Sequence, residues 1–73
     1  MSNHTKHQKA IKKIETAFQA GKYAEALDLC NVAISLNPRD IVAYRAKARL
    51  LQIQRDFAGA EKYYDAAEKR GEL

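Results

Sequence analysis

Two side-chain pairs and one thiol hold whatever chemistry this 73-residue chain could perform. His4 and His7 lie three apart, a spacing at which two imidazoles on one helix face can share a metal ion. No cysteine or carboxylate cluster stands near them to complete a tetrahedral set, and this N-terminal stretch is expected to be unstructured. No metal and no other cofactor is therefore expected. Cys30 would need a neighbouring base to act as a nucleophile, and its sequence context offers no histidine. It falls at an apolar helical position, which makes it a small buried core residue. A Gly-rich phosphate loop, a nucleophile elbow and a His-Glu-x-x-His pattern are all missing, so no catalytic residue is assigned and the chain reads as a non-enzyme. Arg45 and Arg49 are the remaining pair. One helical turn apart, their guanidinium groups can converge on a carboxylate or on the backbone carbonyls of a ligand.

Such a pair acts only if helices hold it in place, and the composition favours helices. The chain is 47% hydrophobic and 30% charged, with three Gly and one Pro. That balance suits one small globular domain spanning residues 1–73. No run approaches the roughly 20 apolar residues that cross a bilayer, and the N-terminus lacks the apolar core of a secretory signal, so a cytoplasmic protein without membrane insertion is expected. The single cysteine fits a reducing compartment. The net charge of +4 is unevenly placed. Residues 1–22 hold five lysines against one glutamate, whereas eight cations balance eight acids in the rest of the chain. Those N-terminal cations are all lysines without paired aromatics, so an acidic protein is a better partner for them than a nucleic acid.

Four helices follow from the apolar spacing. Thr5 and Gln8 have the spacing of a capping box for the first, whose stripe of Ile11, Ile14 and Phe18 ends at Gly21. A second runs from Ala24 to about Leu36 and stops at Asn37-Pro38. Asp40 is a good N-cap for a third over about 41–54, and Asp56 for a fourth from about Ala58 to Arg70. Short turns between helices of this length make antiparallel neighbours.

The chain also repeats itself with a period of 34. Lys13 pairs with Lys47, Tyr23 with Phe57, Ala26 with Ala60, Cys30 with Tyr64 and Ala33 with Ala67. Within the second unit, Tyr44, Ala48, Leu51, Phe57, Ala60, Tyr64 and Ala67 alternate bulk and smallness at fixed intervals. Gly21, Tyr23, Ala26, Cys30, Ala33 and Pro38 do so in the first. On these residues the chain resembles the tetratricopeptide repeat family. It departs from the pattern at Ala10, small where bulk is usual, and at Ile14, large where a small residue is usual. The resemblance implies an all-α fold in which two antiparallel helix-turn-helix hairpins, residues 7–40 and 41–73, stack as a short right-handed solenoid.

The resemblance also implies where binding occurs, because the first helix of each repeat in that family lines a concave groove. Here the lining would be Lys12 and Glu15 from the first repeat, with Gln8, Ile11, Phe18 and Gln19 beside them. The second would supply Val42, Arg45, Arg49, Gln52 and Ile53, with Ala46. Two cations flanked by apolar side chains suit a peptide or helix of a partner protein that carries an acidic and an apolar residue. The function expected is that of a protein-interaction module, an adapter or scaffold. Some relatives capture a C-terminal carboxylate with Lys and Asn residues, but Ile11, Glu15 and Ala46 stand at those places. The alternative is self-assembly: no polar helix follows Gly71 to cover the last repeat, and the fourth helix, with Tyr63 and Tyr64, would offer an exposed face to a second copy.

Overall fold

The structure, a computed structural model, describes the backbone of residues 3–71 and the side chains of residues 5–71. It contains four helices and, among the described residues, no strand: α1 (Asn3–Gln19), α2 (Tyr23–Leu36), α3 (Ile41–Ile53) and α4 (Phe57–Gly71). Helix α1 begins before Thr5, so that residue is not its cap and the expected capping box does not start the helix.

The turns explain why the helices stop where they do. After α1, Gly21 takes φ +75°, and two hydrogen bonds close the end: Gly21 N–H to Phe18 C=O (3.1 Å) and Lys22 N–H to Ala17 C=O (2.9 Å). This is a Schellman ending, in which a left-handed residue lets the chain satisfy the last carbonyls. Thirty-four residues later the same pair recurs, Arg55 N–H to Gln52 C=O (3.0 Å) and Asp56 N–H to Leu51 C=O (2.8 Å), with Arg55 at φ 67° in place of the glycine. Asp40 caps α3 by accepting Val42 N–H at 2.8 Å, and Asp56 caps α4 by accepting Gly59 N–H at 3.0 Å. A Cβ at Gly59 would lie 2.6 Å from an Asp56 carboxylate oxygen, so a larger residue there would push the capping side chain aside.

Helix α1 packs on α2, α3 on α4, and α2 on α3, while α1 also touches α3. The Cα envelope measures 36 × 32 × 14 Å, and its short dimension fits two helices packed side by side. Alanines make this closeness possible. Ala26, Ala33, Ala43 and Ala48 are completely buried, as are Cys30 and Leu50, the largest such side chains. Ala10 and Ile14, the two departures from the family pattern, are both core residues.

His7 overturns the expectation of an unstructured N-terminal histidine. It sits within α1, buried, with Nε2 2.9 Å from an Asp40 carboxylate oxygen. The oxygen lies off the direction in which a ring N–H would donate, so the two groups face each other without a linear hydrogen bond. Asp40 thus serves two elements, capping α3 with one oxygen and facing α1 with the other. Asp40→Ala is expected to lower stability by about 0.5–2 kcal/mol through the lost cap, and further through the histidine left facing no charge. Asp40→Ser should recover the cap alone. Urea unfolding curves that place Asp40→Ala beside wild type would disprove this double role.

Candidate functional site

An open groove of about 470 Å³ lies between α1 and α3. Ile14, Phe18, Val42 and Ala46 give it an apolar surface. Arg45 and Arg49 stand along it from α3, Glu15 and Gln19 from α1, and Tyr64 closes it from α4. Val42 is half exposed, so apolar surface faces solvent directly beside the arginines. Among the described residues no Lys or Arg forms an ion pair, and neither the Arg45 nor the Arg49 guanidinium has a hydrogen-bond partner. Two free guanidinium groups therefore oppose one free carboxylate, Glu15, leaving the groove net cationic.

Of the residues expected to line it, Glu15, Val42, Arg45 and Arg49 are brought together, with Phe18, Gln19 and Ala46. Lys12 is not with them: it lines a second groove on the other side of α1. Gln52 accepts a hydrogen bond from the Tyr64 hydroxyl (3.3 Å), and Ile53 is exposed outside the groove. Ile14 and Tyr64 are the liners that spacing alone missed. The clue to Tyr64 was present, since it replaces Cys30 at the repeat interval and a ring cannot occupy the space of a buried thiol.

The neighbouring Tyr63 is half-buried. The Lys47 ammonium donates to its hydroxyl (2.9 Å) and to Asn31 Oδ1 (2.6 Å), and the first of these bonds holds the Tyr63 phenol below its ordinary range. Arg70 lies over the Tyr44 ring at 4.0 Å and donates from Nε to Pro38 C=O (2.7 Å). Phe57 does not fill the turn as expected and is 62% exposed. Its counterpart Tyr23 meets Phe18 edge to face, ring centroids 5.6 Å apart, but the position equivalent to Phe18 in the second unit is Gln52. Phe57 has no ring to pack against.

Cys30 is fully buried, and burial pushes its thiol up to about 11 against the pull of Lys47. A thiol weakened as an acid in this way contributes native stability that is fully present below pH 9 and is lost as pH rises through 9 toward 11. Labelling of Cys30 by a thiol reagent at neutral pH is accordingly expected to be slow in the native protein and fast in urea. Rapid native labelling would contradict the burial.

No cluster of His, Cys, Asp and Glu suited to a metal occurs among the described residues, and the His4 side chain lies outside them. No described helix is long and apolar enough to cross a membrane. In comparisons with known proteins, the chain matches no family model, no curated protein and no solved structure.

Proposed function

We propose that this chain is a two-repeat helical module of tetratricopeptide type that binds another protein through the α1/α3 groove and catalyses no reaction. Three features support the architecture: the order in which the helices pack, the recurrence of the same helix ending 34 residues on, and the recurrence of buried Ala26 and Ala33 as Ala60 and Ala67. On this reading α1–α2 and α3–α4 are antiparallel hairpins stacked as a short right-handed solenoid.

The observation that carries the function is the pair Arg45 and Arg49, unpartnered among the described residues and set beside exposed apolar surface. Exposed cations alone are ordinary, and apolar groups alone are ordinary. Together in one groove they define a ligand that buries a large apolar side chain against Phe18 and Val42 while it offers carboxylates to the arginines. An extended or helical segment of an adapter's client has this chemistry. The test is a panel of labelled peptides that pair a large apolar residue with Asp or Glu, run beside the same peptides with Lys for the acids and read by fluorescence anisotropy. The acidic set should bind and the basic set should not. Equal binding of both sets, or of neither, would remove the groove from consideration.

A further inference from the structure

The junction inside the molecule indicates how a second molecule would fit. Where α2 packs on α3, Asn31 accepts a hydrogen bond from Lys47 at 2.6 Å, and Tyr23 and Leu27 are among the apolar side chains of α2 packed against the core cluster. A shift of one repeat toward the N-terminus replaces Lys47 and Leu50 by Lys13 and Thr16 on α1, both exposed among the described residues. There a groove of about 460 Å³ has Ala17 and Leu29 in its lining. Lys12, Lys13 and Lys22 stand at it, with Glu25 as its one carboxylate.

A shift of one repeat in the other direction replaces Tyr23, Leu27 and Asn31 by Phe57, Glu61 and Asp65 on α4. All three are exposed, Phe57 most among the large apolar residues, and neither acid has an ion-pair partner among the described residues. A face meant only to end a stack would be polar throughout. This one keeps an exposed aromatic ring at Phe57, and it places the carboxylate of Asp65 where the internal junction has the amide of Asn31.

We propose that a second copy of this chain docks head to tail, laying its α4 on the α1 face of the first. The exposed ring of Phe57 on one copy seats in the α1/α2 groove of the other, against Ala17 and Leu29. Asp65 meets Lys13, as Asn31 meets Lys47, and Glu61 adds its charge among the lysines. The proposal is independent of the peptide groove, which is lined by other residues apart from α4's Tyr64. The contact joins two different faces, so it leaves one of each free and growth does not stop at a dimer. Exposed charges contribute little each and are screened by salt, so association is weak and salt-sensitive.

Sedimentation equilibrium of the chain from about 10 μM to about 1 mM, in low salt and in about 0.5 M salt, tests this. The average mass should rise past that of a dimer with concentration and fall on adding salt. Phe57→Ala should weaken association about tenfold or more. Lys13→Glu and Asp65→Lys should each weaken it about tenfold or more at low salt, since each sets two like charges against one another, and the double variant Lys13→Glu/Asp65→Lys should restore it by exchanging the two charges. All three positions are exposed, and far-UV circular dichroism confirms that the variants remain helical. As a second route, an equimolar mixture of the two single-reversal variants should associate more strongly than either alone. A wild type that stays monomeric to about 1 mM, a mass that levels off at a dimer, or a Lys13→Glu variant that associates like wild type would each overturn the proposal.

Discussion

Reversing Arg45 and Arg49 together to Glu is expected to lower the affinity for an acidic and apolar peptide at least about tenfold, or roughly 1.4 kcal/mol, without unfolding the protein. Both side chains are exposed and without partners among the described residues, so their loss breaks no internal contact. Glutamate is also a good helix former, and α3 keeps its Asp40 cap and its buried face. What changes is the sign of the groove: two cations facing Glu15 become two further carboxylates beside it. An acidic peptide that was attracted is then repelled, while the apolar surface of Phe18 and Val42 is untouched. Anisotropy titrations of wild type and double variant with one acidic peptide read the effect. If both bind it equally well, the arginines do not contact the ligand.

The largest effect on stability is expected at Leu50, where substitution by Ala should cost about 2–5 kcal/mol. Leu50 is completely buried and lies where α3 meets α2, so the space left cannot be refilled by any rotation of exposed side chains. A domain of this length has a total stability on the order of 5–10 kcal/mol, so the loss removes a large part of it. Leu50→Met, which nearly conserves volume, should cost less than about 1.5 kcal/mol. Urea midpoints for the two variants distinguish a packing role from a simple preference for an apolar residue. Similar midpoints for Leu50→Ala and wild type would mean that α2 and α3 are not closely packed there.

Much of this fold is legible from local chemistry. Gly21, Asn37-Pro38 and the caps Asp40 and Asp56 put helix ends within a few residues of where they are observed, because backbone conformation at those points depends on one or two side chains. The groove was partly legible for the same reason: Val42, Arg45 and Arg49 share a helix face whatever the tertiary context. The losses came where position depends on contact across the molecule. His7 carries no sign in sequence that Asp40 lies beside it, because the two are brought together only when α1 crosses the N-terminus of α3. Phe57 looked like packing material by analogy with Tyr23, and its exposure follows from one distant exchange, Phe18 for Gln52. Lys12 failed through its angle on α1, since neighbours four and three residues away point to opposite grooves.

The loop over residues 37–40 has a consequence for how the molecule opens. Pro38 holds Arg70 near the end of α4, and Asp40 holds His7 near the start of α1. Both outer helices, α1 and α4, thus meet the loop between α2 and α3. Almost every other contact joins helices adjacent in sequence, which keeps contact order low and favours folding on a microsecond to millisecond scale. Terminal turns of a helical repeat ordinarily fray one by one from each end. Here they share an anchor, so distortion of this loop should free both at once, and amide hydrogens in the first turns of α1 and the last of α4 are expected to exchange with solvent as one unit.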